Sequence, residues 1–362
     1  MTQTTGTALV FIGTYTHTDS QGVYTCRFDR DSGALEQVSV ATGAGNPSFV
    51  ALHPSKRYLY AASEVMEFDG KEQGAVYAYS IDAGPGELNY LNSQGAGGPG
   101  PCHVKVDATG RFVLAANYHG GSVCMLPIED DGSLAPASDF IQHEGSSVNP
   151  RRQDQAHTHS INPDAQNRFA YVPDLGQDRV VIYRLDTDDG RLIPNEPACV
   201  EVNPGFGPRH FDFHPGGKWA YLINELGSMI TVFEYDRESG SLSEFQVIGT
   251  LPTGFSGSNT TADIHVHPSG RFVYGSNRGH DSIAIFAVDE DSGRLTALGH
   301  RSTRGRTPRN FGIDPSGRFL IAANQDSDSI VSFHIDQDTG QLTPTGHELN
   351  IPMPVCIRFL DE

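Results

Sequence analysis

Apolar and polar residues alternate along most of this chain in short runs, and the runs recur. "GVYTCRFD" (22–29), "AVYAYSID" (75–82), "RVVIYRLD" (179–186), "MITVFEYD" (229–236), "SIAIFAVD" (282–289) and "SIVSFHID" (329–336) are β-branched or aromatic at alternate positions and predict strands. "SVCMLPIE" (122–129) is the weakest of the set, and its Pro127 predicts an outer position in its sheet. Each run leads into a polar turn that closes on Gly and then Leu. The seven turns are "DRDSGAL" from Asp29, "DAGPGEL" from Asp82, "EDDGSL" from Glu129, "DTDDGRL" from Asp186, "DRESGSL" from Asp236, "DEDSGRL" from Asp289 and "DQDTGQL" from Asp336. A glycine at that place suits a hairpin that needs positive φ before the next strand begins.

A second pattern precedes six of these units. "PSFVALHPSKRYLYAASE" (47–64), "PCHVKVDATGRFVLAANY" (101–118), "HTHSINPDAQNRFAYVPDL" (157–175), "PRHFDFHPGGKWAYLINE" (208–225), "ADIHVHPSGRFVYGSNR" (262–278) and "PRNFGIDPSGRFLIAANQ" (308–325) each read as strand, turn, strand. The seventh copy is split, with "MPVCIRF" (353–359) supplying its first strand and "ALVFIGTY" (8–15) its second. Four short strands every 50 or so residues predict an all-β, seven-bladed β-propeller. The ring closes where N- and C-terminal strands share one blade, which hides two sheet edges. One domain over 1–362 is expected, with its longest loops near 64–74, 139–156 and 251–261. Helical periodicity of the kind a TIM barrel or Rossmann fold requires is missing from the sequence.

The repeat also indicates where a ligand would sit. In a propeller the first strand of each blade lines the central channel and the second runs back antiparallel. The start of strand one and the end of strand two therefore emerge at one mouth. Aligned on the first aromatic of strand two (Tyr58, Phe112, Phe169, Trp219, Phe272, Phe319), the positions ten residues earlier are Ser48, Cys102, His159, Arg209, Ala262 and Arg309. Six residues later come Glu64, Tyr118, Leu175, Glu225, Arg278 and Gln325, with Tyr15 from the split blade. These two sets vary from blade to blade and are rich in charge, as a pocket requires. The positions just before the second set, Ser63, Asn117, Asp174, Asn224, Asn277 and Asn324, stay alike and predict ties from strand ends to backbone.

Composition narrows the ligand. The formal charge of −19, with only four lysines, repels nucleic acid and anionic lipid, so neither is expected as a partner. An anionic ligand would need arginines gathered against that global field. Five scattered cysteines (Cys26, Cys102, Cys124, Cys199, Cys356) suit reduced thiols and a cytoplasmic location. "MTQTTGTALVFIGTYT" has the features of neither a secretory leader nor a membrane span. The paired histidines of "HTH", "HFDFH" and "IHVHP" (His265, His267) share a strand face, but a third ligand at suitable spacing is missing. Neither a metal nor another cofactor is expected.

"HTHSINP", "GPRHFDFHPGGKWAYLINELGSMITVFEYD" and "SNRGHDSIAIFAVDEDSGRL" resemble the bacterial lactonase family of seven-bladed propellers. That family is typified by the propeller-type 6-phosphogluconolactonase and includes fungal 3-carboxy-cis,cis-muconate cyclase. The resemblance spans the whole chain. It implies a His, an Arg, a Glu and a second Arg at the mouth, which match His159, Arg209, Glu225 and Arg278 here. The turn in "SINPDAQNRF" differs in length from its sisters, so His157 competes with His159 for the channel position, and the Phe169 alignment favours His159.

Lactone opening calls for a base and for oxyanion donors. Arg209 and Arg278 suit an anion or an oxyanion, Glu225 between them should stay ionised and accept a proton from water, and His159 should titrate near neutrality and shuttle one. Tyr15, Glu64, His103, Tyr118, His157, His210, Arg309 and Gln325 are the expected substrate-binding residues, with Arg309 a candidate for a phosphate. The expected reaction is hydrolysis of a small anionic lactone, 6-phosphogluconolactone first. The alternatives are cycloisomerisation of a carboxymuconate-type dicarboxylate and a non-catalytic binding platform. Monomer and dimer both remain open.

Overall fold

The computed structural model describes residues 6–82 and 84–360. Residues 1–5, where the stretch read for a leader begins, Ala83 of the second hairpin, and residues 361–362 of the expected domain lie outside the described residues. Seven four-stranded antiparallel sheets form the blades of a propeller. The first blade pairs Pro354–Leu360 with Thr7–Thr14, followed outward by Gly22–Asp29 and Leu35–Thr42, so the chain ends close the ring as the split repeat predicts. In the fourth blade the innermost strand is only Asn162–Pro163, where the turn differs in length from its sisters.

Pro127 is placed differently from expectation. Its strand, Ser122–Pro127, is third of four, between Phe112–Asn117 and Asp139–Gln142. The outer strand pairs only as far as Met125. The Pro127 carbonyl accepts from the Ala135 N–H at 2.9 Å, so its missing N–H also faces outward, past the end of the ladder.

Apolar side chains fill the seams between blades. Tyr171 and Ile182 of the fourth, for example, pack with Phe211, Leu222 and Phe233 of the fifth. The polar hairpins fasten these seams. The Tyr221 hydroxyl donates to the Gly293 carbonyl at 3.1 Å, from the second strand of one blade to the hairpin of the next. The same bond runs from Tyr60 to Gly132, Tyr171 to Gly240 and Tyr274 to Gly340. Gly293 has φ of +69° and lies against Trp219, the first aromatic of that strand, and a Cβ there would run into the indole. The pairing of hairpin glycine with preceding-blade aromatic recurs at Gly33–Phe319, Gly132–Tyr58, Gly190–Phe112, Gly240–Phe169 and Gly340–Phe272.

A second latch uses two of the histidines that suggested metal ligands, His214 and His267, and His53 with them. His214 Nδ1 accepts from the Gly216 N–H at 3.0 Å, so Nε2 carries the proton and donates to the Gly270 carbonyl of the next blade at 3.0 Å. His53 and His267 do the same toward Gly110 and Gly317. The alike positions at strand ends are also structural. Asn117 donates to the Ala96 carbonyl, Asn277 to Thr250 and Asn324 to Thr303.

Tyr221→Phe removes one buried inter-blade hydrogen bond and is expected to cost about 1 kcal/mol in urea unfolding. Gly293→Ala combines unfavourable φ with a clash and is expected to cost at least about 2 kcal/mol. Equal, near-zero costs would show that the hairpins do not fasten the seam.

Candidate active site

Each blade carries an irregularity at the top of its innermost strand, and that irregularity builds the site. Pro208 pairs with Asn224 and His210 with Ile223, so Arg209 is an extra residue opposite no partner. Ser48, Cys102, Arg309 and Val355 occupy the same extra position in their blades. In the fourth blade Thr158 bridges Asp174 and Asn162 pairs with Tyr171, leaving His159, Ser160 and Ile161 opposite two residues. A bulge of this kind turns a side chain away from the pleat. Here it turns one residue per blade into the channel, and the set ten residues before the aromatic is the set of bulge residues.

The mouth opens into a cavity of about 300 Å³ lined by Glu64, Cys102, Tyr118, His119, Arg152, His159, Glu225, Thr260, Arg278 and Arg309. Glu225 is its hub. Glu225 Oε2 accepts from Arg209 Nε at 3.0 Å and pairs with Arg278 Nη2 at 3.0 Å, which donates to the Thr261 carbonyl at 2.8 Å, and Oε1 accepts from Arg152 Nη2 at 2.6 Å. Burial alone would raise the Glu225 carboxyl, but the Arg278, Arg209 and Arg152 guanidinium groups outweigh it and hold it well below the usual carboxylate range. A carboxylate so stabilised stays ionised and is a poor proton acceptor.

Arg209 is only 2% exposed. Its Nη1 donates to the Ala262 carbonyl at 2.6 Å and to His210 Nε2 at 3.1 Å. Among the described residues Arg209 Nη2 and Arg278 Nη1 have no hydrogen-bond partner. The Arg309 guanidinium likewise makes neither a hydrogen bond nor an ion pair within them and lies 5.3 Å over the Tyr15 ring. Tyr15 donates to Glu64 Oε2 at 2.9 Å, and Ser48 donates to the same oxygen at 2.5 Å.

His159 faces the cavity, with Nε2 3.8 Å from Glu225 Oε2. Burial, then Arg209 and His210, pushes its pKa well below the ordinary imidazole value, so it is neutral near pH 7 instead of titrating there. The Cys102 thiol, its own pKa raised by burial, donates to the His159 carbonyl at 3.3 Å. With the thiol proton on that carbonyl, the sulfur can accept from His159 Nδ1 at 3.6 Å, the tautomer in which Nε2 keeps its lone pair. His157 does not line the cavity. It stacks on Tyr118 with ring centroids 4.6 Å apart and bonds the Tyr118 carbonyl at 2.9 Å, bracing the tyrosine from behind.

His103 and His210 stand deeper than expected for substrate ligands. Phe49 packs against both, 4.3 Å from His103 and 5.8 Å from His210, whose rings are 5.5 Å apart, and Arg358 lies 4.5 Å over the Phe49 ring. The channel narrows there, so the mouth cavity has a floor. Gln325 is not gathered into the cavity. It starts a single 3-10 turn, Gln325–Ser327, and bonds Asp326. Leu175 is buried, and its carbonyl anchors Gln153 instead.

Arg152 is the charged cavity side chain that the repeat alignment misses, because it stands in the 139–156 loop outside any repeated position. The loop is pinned by His143 between Asp174 and Tyr183, by Ser147 on Asp178, and by fully buried Gln153. Arg152 follows as the neighbour of that anchor, also donating to the Tyr118 hydroxyl at 3.2 Å. A basic pair, Arg151–Arg152, in a long loop of so acidic a chain is the signal that could have revealed it.

Burial holds His103, His159 and His210 neutral, His210 with a pKa of about 3. The unfolded chain protonates these groups below about pH 6.5, the folded one does not. Stability should therefore fall as pH drops below about 6.5, by about 1.4 kcal/mol per pH unit per histidine, until the folded pKa is reached. The Glu225 ion pairs add to the loss below about pH 4. Urea midpoints between pH 7 and 5 test this. His103→Gln should remove one proton from the slope, and an unchanged slope would mean that His103 is not held neutral.

With this geometry in place, similarity to known proteins becomes informative. The family model described as lactonase, 7-bladed beta-propeller, matches residues 9–359. The chain is 40% identical over 352 residues to the 6-phosphogluconolactonase of Bacillus subtilis, covering 97% of this chain and 98% of that one. It is 36% identical over 306 residues to the 6-phosphogluconolactonase of Formosa agariphila, covering 83% and 85%. The solved periplasmic gluconolactonase of Pseudomonas aeruginosa superposes with a TM-score of 0.92 at 34% identity, covering 98% of this chain and 99% of that one. The chain belongs to the lactonase family of seven-bladed β-propellers.

Proposed function

We propose that this protein hydrolyses 6-phosphogluconolactone to 6-phosphogluconate. One observation carries the reading within the family: in a chain of net charge −19, four arginines and two glutamates give the mouth a formal charge of two positive units beside a neutral imidazole. A sugar lactone bearing a phosphate matches that charge. Cycloisomerisation of a dicarboxylate is not favoured, since the relatives described above carry hydrolase names. A binding platform has no use for buried, competing charges.

The roles follow from the free valences. A water at the lactone carbonyl gives its proton to His159 Nε2 as its oxygen attacks C1. The proton arrives 3.8 Å from Glu225 Oε2, which stabilises the imidazolium. The oxyanion develops toward the free N–H groups of Arg209 Nη2 and Arg278 Nη1. Collapse of the tetrahedral intermediate breaks the bond from C1 to the ring oxygen, and the imidazolium returns its proton to that oxygen. Glu225 acts chiefly by holding its arginines in place. Arg152, 39% exposed at the rim, and unpaired Arg309 receive the phosphate, while Glu64 Oε1 is available to the sugar hydroxyls. The five free cysteines fit a reducing compartment, and we place the enzyme in the cytoplasm. Among the described residues, no helix is long and apolar enough to cross a membrane.

Fresh 6-phosphogluconolactone followed by NMR or pH-stat, against a blank for spontaneous opening, should show strong acceleration. A folded protein that accelerates neither this lactone nor its unphosphorylated counterpart would sink the proposal. His159→Gln, Arg209→Ala and Glu225→Gln should each lose at least ~10²-fold in kcat/KM with the fold intact, and wild-type rates would return them to structural roles. Arg152→Ala, whatever it costs both substrates through Glu225, should raise KM about tenfold more for the phosphorylated lactone than for the unphosphorylated one. Equal effects on both would remove Arg152 from the phosphate site.

A further inference from the structure

Beneath Arg209 lies a hydrogen-bonded chain that the reaction as described does not use. His210 Nδ1 is 2.6 Å from Asp263 Oδ1, and His210 Nε2 is 3.1 Å from Arg209 Nη1. Guanidinium can only donate, so Nε2 must be the acceptor and Nδ1 must carry the proton. Asp263 selects that tautomer. We propose that Asp263 is a positioning residue: through His210 it holds the Arg209 guanidinium in the orientation that leaves Nη2 free for the substrate. The inference rests on Arg209 being the oxyanion group proposed above.

The surroundings leave the chain no other arrangement. Asp263 Oδ2 accepts from His265 Nε2 at 2.9 Å and from Asn310 Nδ2 at 2.5 Å, so its second oxygen is already committed to two donors. Its backbone N–H is fixed by Ser276 Oγ at 2.9 Å. The rings of Phe49, His103 and His159 also face His210, at 5.8, 5.5 and 5.4 Å, and Arg358 lines the same pocket; none of these offers it an anion. Burial and Arg209 also lower the His210 pKa to about 3, which keeps Nε2 unprotonated at working pH. The chain crosses from the fifth blade to the sixth and, through Asn310, to the seventh, so the orientation of Arg209 is set by three blades at once.

The test exploits the asymmetry of an amide. In Asp263→Asn the amide oxygen remains with its two donors, and the NH₂ turns to His210 Nδ1. His210 must then accept at Nδ1 and carry its proton on Nε2, against an Arg209 N–H. We expect kcat to fall about 10²-fold with KM within threefold, because the interaction lost is one made to the transition state. Arg209→Ala combined with Asp263→Asn should be no slower than Arg209→Ala alone. His210→Gln, which keeps an acceptor at the Nε2 position without needing Asp263, should be at least tenfold faster than His210→Ala, and Asp263→Asn added to it should cost less than threefold.

Nitrogen NMR of histidine-labelled protein should show His210 protonated on Nδ1 in wild type and on Nε2 in Asp263→Asn. A wild-type tautomer in Asp263→Asn, or multiplicative losses in the double variant with Arg209→Ala, would overturn the proposal. The NMR arm is independent of substrate, so an enzyme inactive on every lactone would refute the function and leave this assignment standing or falling on the tautomer.

Discussion

The hydrogen bond from a tyrosine hydroxyl in one blade to the hairpin glycine of the next is small, about 1 kcal/mol, yet the architecture depends on it and its repeats. It is made between repeats and never within one. A single repeat therefore leaves its glycine without a ring and its tyrosine without an acceptor, and only a closed ring satisfies them all. The glycine must be a glycine because the backbone is left-handed there and the aromatic face lies where a Cβ would be. The histidine latches repeat the device at the turn between the first two strands of a blade. Together these contacts hold the spacing and tilt of the blades, and with them the places where the innermost strands converge.

Convergence alone would point backbone at the channel. The bulge at the top of each inner strand converts it into chemistry by turning one side chain per blade inward. Because the bulge is a property of the repeat, the side chain it presents is free to differ: Ser48, Cys102, His159, Arg209 and Arg309 occupy equivalent scaffolding with unrelated functions. Glu225 gathers three arginines onto one carboxylate, an arrangement whose desolvation cost a purely structural site would avoid. Burial together with this crowding of cations keeps His159 neutral, and the cations keep Glu225 ionised. The groups thus separate into a neutral imidazole and a fixed carboxylate, although in water they titrate only about two pH units apart.

Much of this was legible in the chain. Hairpin glycines and strand aromatics recur because they touch each other, so their period counted the blades. The variable positions beside them located His159, Arg209, Glu225 and Arg278 at one mouth, because residues at equivalent points of a closed ring must converge. Where the sequence misled, the cause was local. Gln325 shares the register of Glu225 but turns off into a 3-10 turn, and Pro127 escapes the ladder because the outer strand is short. His103 and His210 sit one step deeper than the bulge, where Phe49 closes the channel. Arg152 lies on a loop with no counterpart in other blades, so no alignment of repeats could reach it.

Strand pattern, blade number, ring closure and the convergence of Arg209, Glu225 and Arg278 at one mouth were determined by the sequence alone, since each follows from periodicity and covalent order. Protonation states, the floor of the cavity, the choice of His159 over His157 and the reach of Arg152 were decided only by the tertiary structure. Each depends on distances between groups far apart in the chain and on the loss of water around them, and burial changes the chemistry of a side chain without changing its letter.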